Sequence, residues 1–330
     1  MAARQTAVSA FAPASIGNFA VGFDVLGAAL APHGSQLRGD RVMITSALAS
    51  SFVTEGPFAH QLPLDPQTNL VVLAAQALVR DRGLSMPQCH IKLSKGLPAG
   101  SGLGSSSASA VAGALAMAAW LDGTPTEGSA FSAWKLAHQG ELLDAAGSAE
   151  AVAAGAAHLD NVAPCLLGGL QLLTPLGPRR LAWPFAWAIV IASPDQQLTT
   201  KAARAALPRE VALGVTVQHA QLLATFVHAT ATGDEALVAA CLRDVIAEPY
   251  RAALVPGFAQ AKAGAFAAGA VACSLSGAGP AVFAVCRPQA ADAVADALHA
   301  GFAQAAVAST TAICALDAMG ARLEAPDAPA

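Results

Sequence analysis

The chain has 330 residues, which is enough for two domains of ordinary size and a sizeable hydrophobic core. Its net charge of −4, without any cluster of Lys or Arg, argues against nucleic acid as a partner. The long uncharged windows Gly96–Leu121 and Ala263–Cys286 are interrupted by Gly, Ser and Pro, so neither offers the ~20 continuous helical residues of a membrane span. We therefore expect no membrane partner either.

The predicted elements alternate between strand and helix in both halves of the chain. This mixture indicates an α/β or α+β enzyme. The Pro-, Gly- and Arg-rich segment Thr174–Pro184 is the best candidate for a domain boundary, which gives domains at 1–174 and 175–330. The predicted strands are Val21–Leu30, Val42–Ala47, Cys89–Leu93, Ala186–Ala192, Val271–Ser274 and Ala281–Cys286. The predicted helices are Asp65–Arg82, Ala108–Leu121, Ser129–Ala146, Asn161–Leu167, Thr200–Ala206, Thr216–Thr230, Asp234–Asp244, Gly257–Ala268 and Ala290–Ala305.

The cysteines and the first residues of the chain indicate the cellular compartment in which the protein is expected. The six cysteines contain no CxxC pair, so they suit neither a zinc site nor a disulfide framework. The segment Met1–Ser15 lacks the basic region and apolar core of a secretory signal. We expect buried thiols in a reducing cytosol, and hence a cytoplasmic protein. The tail Glu324–Ala330 is rich in Pro and Ala and is expected to be frayed.

The segment Gly96–Ala108 carries four glycines and four serines between a predicted strand and an Ala-rich helix. Glycines let backbone N–H groups turn towards a ligand, and a helix N-terminus favours an anion. The serine hydroxyls can bond a phosphate or bind Mg²⁺. An ordinary turn is the alternative. No Gly-Lys pair supports a nucleotide P-loop, and the third glycine of a dinucleotide fingerprint is misplaced. The pattern indicates phosphate binding.

Four further blocks carry polar or charged side chains that could have a function. Asn18 and Asp24 stand in the turn-rich stretch Phe11–Gly27, and a buried Asn or Asp is costly unless it is paired. The block His158–Gly169 reads as a capped helix start that ends at a Gly pair. Arg204, four residues after Thr200, and Arg251 could each be solvated surface. Two guanidinium groups together would also select a carboxylate, which they bind through paired hydrogen bonds.

The pattern Pro-x-x-x-Gly-Leu-Gly-Ser-Ser-x-Ala, from Pro98 to Ala108, closely resembles the phosphate-binding motif of the GHMP kinases. The loop Ser274–Ala281 looks like the third motif of that family, which packs against the phosphate loop. The resemblance implies a two-domain GHMP kinase fold, with an N-terminal domain like domain 2 of ribosomal protein S5 and a C-terminal ferredoxin-like domain. It also implies an active site in the cleft between them. The implied cofactors are ATP and Mg²⁺.

Within that family, the blocks Phe11–Gly27, His158–Gly169, Thr200–Arg204 and Glu248–Arg251 resemble those of homoserine kinases. This resemblance implies phosphorylation of the L-homoserine hydroxyl in threonine biosynthesis. The implied catalytic residues are Asp24, Asn161 and Thr200. The implied substrate-binding residues are Asn18, Asp24, Asn161, Arg204 and Arg251. The implied ATP-binding residues are Asn69, Pro98, Ala99, Gly100, Ser101, Gly102, Leu103, Gly104, Ser105, Ser106, Ser107 and Ala108.

The implied magnesium site contains Ser106 and a glutamate whose position the sequence leaves open. The family carries this glutamate before the Asp-Asn pair, and both Glu141 and Glu150 are candidates. Nine residues of continuous helix separate them by half a turn, so both can face one metal only if the helix breaks, for example at Gly147 with an insertion after it. The length of the helix that follows Asp122 favours Glu141, whereas the spacing to the Asp160-Asn161 pair favours Glu150. We expect Glu141.

Other functions remain open at this stage. The chain could be another GHMP small-molecule kinase, such as one that acts on mevalonate. It could also be a catalytically silent member that binds ATP or a metabolite as a regulator. A homodimer is left open by the sequence, and no side chain stands out as a strong general base.

Overall fold

A computed structural model of the chain describes residues 7–32, 39–63, 65–124, 128–155 and 157–325. The strands are β1 (Ala7–Ala12), β2 (Ser15–Gly17), β3 (Leu26–Pro32), β4 (Asp40–Ser46), β5 (Ser51–Glu55), β6 (Cys89–Ser94), β7 (Leu170–Thr174), β8 (Gly177–Leu181), β9 (Ala188–Pro194), β10 (Ala270–Leu275), β11 (Val282–Cys286), β12 (Ser309–Leu316) and β13 (Arg322–Glu324). The helices are α1 (Leu70–Asp81), α2 (Ser105–Asp122), α3 (Gly128–Ala154), α4 (Leu159–Leu167), α5 (Thr200–Ala205), α6 (Leu213–Thr232), α7 (Glu235–Cys241), α8 (Glu248–Arg251), α9 (Phe258–Ala267) and α10 (Ala291–Gln304).

The first sheet has the strand order β13-β1-β4-β6-β5. All its pairs are antiparallel except β5 with β6. In β4 and β6 buried positions alternate with partly exposed ones, as expected when one face of a sheet is covered. The covering layer contains α2, which packs on β1 and β4, with α1 and α3 against it.

The second sheet has the order β10-β11-β9-β12-β3-β7-β8, and β2 pairs with β3. Strand β11 is buried along its whole length, and β9 is buried except at Ser193. Their continuous apolar sequences therefore fit a strand covered on both faces. Strand β3, from the first part of the chain, lies between β12 and β7. The two sheets, each packed with helices, agree with the α/β class expected from the sequence.

Helix α2 starts at the Gly/Ser loop and is almost entirely buried. Its first turn is preceded by Gly104, whose φ of 63° is left-handed, and Gly123 ends it in the same conformation. Alanine side chains let neighbouring helices approach closely, and Gly113 lies against the backbone of Val71 on α1. The small-residue run therefore fixes the helix that carries the loop.

Helix α3 runs unbroken to Ala154, so the expected end at Ala146 is wrong, and the break at Gly147 that would let both glutamates face one metal does not occur. A glycine inside a helix costs only about 1 kcal/mol relative to alanine. Ala145, Ala146 and Ala149 are buried on this helix, and their packing offsets that cost. The two candidate glutamates therefore stand on opposite sides of one continuous helix.

The expected strand Val21–Leu30 starts only at Leu26, because the residues before it form a turn of unusual backbone conformation. In the expected helix Asp65–Arg82, Pro66–Thr68 form a 3-10 turn and Asn69 caps α1 by accepting from Val71 N at 3.0 Å. Glu324 ends a paired strand, while residues 326–330 of the expected frayed tail lie outside the described residues. The strands predicted from the sequence did not include β1, β2, β5, β7, β8, β12 or β13.

The expected domain boundary falls at Thr174, which is the last residue of β7 in the β7–β8 hairpin. The division at 174 stays a prediction. All six cysteines are free and buried, as expected. None of the helices in the described ranges combines the length and the hydrophobicity needed to cross a bilayer.

The contact between α1 and α2 can be tested at Gly113. A Cβ there would lie 2.7 Å from the Val71 carbonyl oxygen and 2.9 Å from its Cα. Because both are backbone atoms, the helices must separate, and we expect Gly113→Ala to lower the free energy of unfolding by about 1–3 kcal/mol. Gly140→Ala is the matched control, since its Cβ meets no described atom within 4 Å, and it should gain up to about 1 kcal/mol. Urea denaturation measures both, and wild-type stability of Gly113→Ala would contradict the prediction.

Candidate active site

The Gly/Ser loop lines a cavity of about 750 Å³. Gly100, Gly102 and Gly104 all have positive φ, between 63° and 82°. A Cβ on Gly100 would meet only Leu198 O, at 3.8 Å, so the backbone there faces open space. The loop thus presents its backbone to the cavity at the N-terminus of α2, where unpaired N–H groups and the helix dipole favour an anion.

The loop Ser274–Ala281 packs against the Gly/Ser loop, as expected. Ser276 Oγ donates to Gly102 O at 2.6 Å, and Ala281 N donates to Ser101 O at 3.0 Å. The approach is so close that a Cβ on Gly102 would lie 2.8 Å from backbone atoms of Gly279. Ser101 Oγ is buried and has no hydrogen-bond partner among the described residues. An orphaned hydroxyl inside this loop fits a ligand that accepts a hydrogen bond.

A buried ion pair lies behind the loop. Lys95 is 1% exposed and Asp40 is fully buried, and their charged groups are 2.5 Å apart. Lys95 Nζ also donates to Ser105 O at 2.9 Å and to Ser109 Oγ at 3.0 Å. Asp40 Oδ1 accepts from the backbone N–H of Gly96 at 3.0 Å, so the pair holds the start of the loop and the start of α2 together.

The segment before β3 has a strained backbone. Asn18, Phe19 and Ala20 have φ of 65°, 40° and 59°, and Asp24 has φ of 59°. Left-handed conformation costs non-glycine residues roughly 1–2 kcal/mol each. The Phe19 ring is fully buried and stacks on Phe283, with ring centroids 5.4 Å apart. This aromatic packing holds the segment in place.

Asn18 joins three parts of the site. Its side-chain Nδ2 donates to Gly277 O at 3.0 Å, and its Oδ1 accepts from Asp24 N at 2.9 Å. Its backbone N donates to Asp160 Oδ2 at 3.2 Å. Asn161 is held separately, since its Oδ1 accepts from Ser15 Oγ at 3.0 Å. Asn18 and Asn161 therefore have fixed orientations at the wall of the cavity.

Opposite charges also meet in the cavity lining. Arg204 makes two hydrogen bonds to Asp24, at 2.8 and 2.9 Å, and both side chains are partly exposed. Arg251 is 3% exposed and donates to Ala203 O and Gly277 O, each at 3.1 Å. Burial lowers the pKa of Arg251, and the nearby Arg204 charge adds to this. Among the described residues Arg251 thus has no carboxylate partner, and it lines the cavity together with the paired Arg204.

Asp160 and His158 also line the cavity. Burial raises the pKa of Asp160 to about 6, and the negative charge of Asp24 adds to the rise. His158 Nδ1 lies 3.0 Å from Glu150 Oε2, and this hydrogen bond raises the pKa of His158. Glu150 Oε1 in turn accepts from Ser107 Oγ at 3.0 Å.

The two candidate glutamates have different surroundings. Glu150 is 2% exposed and lines the cavity next to the loop. Glu141 lies outside it and pairs with Arg82 at 2.6 Å, in a group that also includes Asp122. The structure therefore does not bring Glu141 to the loop, contrary to the preference from helix length. The reason is the unbroken α3, which turns Glu141 away when Glu150 faces the loop.

Most of the expected site residues lie together. Those that line the cavity are Asn18, Asp24, Ala99, Gly100, Ser101, Gly102, Gly104, Ser105, Ser106, Ser107, Glu150, Asn161, Thr200, Arg204 and Arg251. Those outside the lining are Asn69, Pro98, Leu103, Ala108 and Glu141.

Asp40 and Lys95 were not among the site residues expected from the sequence, although their positions carry a signal. In β6 the residues at 89, 91 and 93 are buried, and Lys95 continues that alternation. Asp40 has the same parity as the buried Val42 and Ile44 of β4. Two opposite charges at inward positions of neighbouring strands indicate a buried pair. Gln61 was also missed; its Oε1 accepts from Ala99 N at 2.8 Å.

The raised pKa of Asp160 predicts a pH-dependent stability. Burial raises this pKa from 3.8 to about 6. Between these pH values Asp160 is therefore ionised in the unfolded chain but still protonated in the folded protein. The free energy of unfolding therefore falls as pH rises through this window, by up to about 3 kcal/mol above pH 6. Asp160→Asn removes the titration and should stabilise the protein more at about pH 8 than at about pH 4.5. Urea denaturation at both pH values measures this, and a pH-independent difference would contradict it.

Two family models match this chain. The family model described as "GHMP kinases N terminal domain" matches residues 69–169, and "GHMP kinases C terminal" matches residues 226–304. These ranges contain the Gly/Ser loop, Glu150 and Asn161 in the first, and Arg251 and Gly277 in the second.

Among solved structures, a homoserine kinase from Cytophaga hutchinsonii ATCC 33406 is 31% identical, with a TM-score of 0.86. The match covers 98% of this chain and 99% of that one. L. major mevalonate kinase, solved with R-mevalonate, is 13% identical, with a TM-score of 0.63 and coverage of 92% and 94%. Streptococcus pneumoniae phosphomevalonate kinase is 11% identical, with a TM-score of 0.63 and coverage of 92% and 98%. The last two likenesses show the fold alone. The chain has the two-domain GHMP kinase fold, and it belongs to the GHMP kinase family.

Proposed function

We propose that this protein transfers the γ-phosphate of ATP to the hydroxyl of L-homoserine, giving O-phospho-L-homoserine and ADP. The observation that carries the proposal is the presence of Arg204, Arg251 and Asp24 in the same cavity as the Gly/Ser loop. The 31% identical relative is a homoserine kinase, which favours the same acceptor.

The charges suit an α-amino acid. A free amino acid carries a carboxylate and an ammonium group, which need positive and negative partners respectively. The guanidinium groups of Arg204 and Arg251 supply the first, since a planar guanidinium binds a carboxylate through two hydrogen bonds. Asp24 supplies the second. When the substrate carboxylate competes for Arg204, an oxygen of Asp24 is freed for the ammonium group or for the hydroxyl proton.

The Gly/Ser loop suits the phosphates of ATP. Its positive-φ glycines expose backbone N–H groups, and the orphaned Ser101 hydroxyl can donate to a phosphate oxygen. Ser105, Ser106 and Ser107 begin α2, so the helix dipole acts in the same direction. The fixed backbone needs little reorganisation when the charge on the transferred group changes, which is how phosphoryl transfer is mainly accelerated.

Glu150 and a serine hydroxyl of the loop would hold Mg²⁺. No group of three His, Cys, Asp or Glu side chains in the described part of the chain is arranged to hold a metal. This fits Mg²⁺, which usually takes one or two carboxylates together with substrate phosphates and water. The bound ion would supply positive charge against the β- and γ-phosphates. Glu150 is held for this role by Ser107 and His158, and Ser106 is exposed beside it.

The remaining chemistry rests on positioning. Asn161 and Thr200 lie in the cavity wall, where their amide and hydroxyl groups can orient the acceptor hydroxyl. Correct alignment of two bound reactants can contribute roughly 7–11 kcal/mol, so a strong base is not required. Asp24 is the proposed proton acceptor, and full activity of Asp24→Asn would exclude that role.

The acceptor is tested by ADP release with ATP and Mg²⁺ in the presence of L-homoserine, D-homoserine, L-serine, mevalonate or galactose. We expect turnover with L-homoserine and a rise in its KM of at least about tenfold in Arg251→Lys, because Lys lacks the bidentate geometry. The KM for ATP should stay unchanged.

Two other results would support a different function, and a third would contradict the proposed orientation of the substrate. Turnover of mevalonate alone would contradict the acceptor and support another GHMP small-molecule kinase, because mevalonate has a carboxylate but no ammonium group. ATP binding without turnover of any acceptor would support a silent regulator. Equal turnover of L- and D-homoserine would contradict a fixed orientation by Asn18 and Asn161.

The metal ligand is tested by a matched pair of variants on α3. Glu150→Gln should raise the Mg²⁺ concentration needed for half-maximal rate and lower kcat/KM roughly a hundredfold, because a charge beside the phosphates is lost. Glu141→Gln removes a carboxylate from the same helix but only breaks the pair with Arg82, so its Mg²⁺ dependence should match the wild type. The reverse pattern would return the role to Glu141.

A further inference from the structure

Phe23 lies next to both arginines of the site. The guanidinium carbon of Arg204 is 5.9 Å from the centroid of its ring, and that of Arg251 is 5.5 Å away. The two arginines come from separate helices, α5 and α8, and Phe23 comes from the turn before β3. One aromatic ring therefore contacts the two cations on which the carboxylate site would depend.

Two guanidinium groups near each other repel, and other contacts must offset this repulsion before a substrate arrives. Backbone oxygens of Ala203 and Gly277 hold Arg251, and Asp24 holds Arg204 but neutralises its charge. An aromatic ring attracts cations through its quadrupole within about 6 Å and leaves their charge intact. Phe23 can thus stabilise both guanidinium groups without cancelling the positive charge that attracts a carboxylate.

The position of Phe23 also separates it from residues that only support the fold. Phe19, four residues earlier, is fully buried in an aromatic cluster with Phe283 and Trp183. Phe23 is partly exposed, and its contacts with cations are those to Arg204 and Arg251 given above. Loss of the Phe23 ring should therefore affect the arginines more than the core.

We propose that Phe23 is a specificity-determining residue, which holds Arg204 and Arg251 at the spacing required to share one substrate carboxylate. This inference rests on the proposed function. The ring makes no contact with the reacting atoms in this account and acts only through the two arginines.

The test compares loss of the ring with its replacement by another ring. We expect Phe23→Leu to raise the KM for L-homoserine about tenfold while the KM for ATP and the melting temperature stay near wild type. Phe23→Trp keeps an aromatic face and should stay within about threefold of wild type. Calorimetric titration with L-homoserine should show the same ranking without turnover. If Phe23→Leu does not melt like the wild type, Phe23→Met serves as the variant without a ring.

A second readout separates specificity from general damage. L-Homoserine amide has no carboxylate, so the ratio of kcat/KM for L-homoserine to that for its amide should fall about tenfold in Phe23→Leu and be retained in Phe23→Trp. An unchanged ratio in Phe23→Leu overturns the inference, and so does an equal fall in both variants, since then the ring itself contributes nothing.

Failure of the proposed function would be visible separately in the wild type. If the wild type uses another acceptor that carries a carboxylate, the function is wrong and the same comparison is made with that acceptor and its amide. If the true acceptor has no carboxylate, both proposals fail.

Discussion

The geometry of the Gly/Ser loop depends on the buried ion pair of Asp40 and Lys95. Arg41 of β4 pairs with Ser94 of β6 in the sheet register, so the next residues, Asp40 and Lys95, face each other across the strands. Lys95 uses three donors, on Asp40, Ser105 O and Ser109 Oγ, and Asp40 accepts from the first backbone N–H groups of the loop. A buried pair of this kind adds little net stability, but removal of one partner leaves an isolated charge and costs about 3–5 kcal/mol. The pair therefore mainly fixes the position of the loop relative to α2 and contributes little to the net free energy of unfolding.

The part of the cavity around Asn18 and Asp24 has a different origin. Here the positions of Asn18 and Asp24 follow from a left-handed turn that the chain would not adopt alone. Packing of Phe19 and hydrogen bonds to Gly277 O and Asp160 hold it. The partners lie far away in the sequence, so this half of the site forms only when the whole fold is present. Strain at such sites is offset by the surrounding structure.

The sequence predicted the Gly/Ser loop and the helix after it, because these depend on local patterns. Half of the residues that line the cavity were expected, and those outside the loop, such as Asn18 and Arg204, were expected mainly from the resemblance to a known family. The Gly/Ser spacing and the Ala-rich run needed no knowledge of distant contacts. Local rules did not identify Glu150 as the glutamate that faces the loop, because a single glycine does not determine whether a packed helix continues. Strands β1, β12 and β13 were missed for a related reason. Their alternation is weak in an Ala-rich chain, and pairing with distant strands defines them.

Strand β13 has a consequence for how the molecule forms during synthesis. Leu323 pairs with Ala10, and β1 then lies between β13 and β4 in the first sheet. A ribosome releases β1 long before β13, so during most of translation β1 has one unsatisfied edge that other chains could pair with. Such distant pairings raise contact order and slow the final folding step. Strand β13 therefore protects the free edge of β1, and a nascent chain is open to wrong pairing at this edge until β13 has been synthesised.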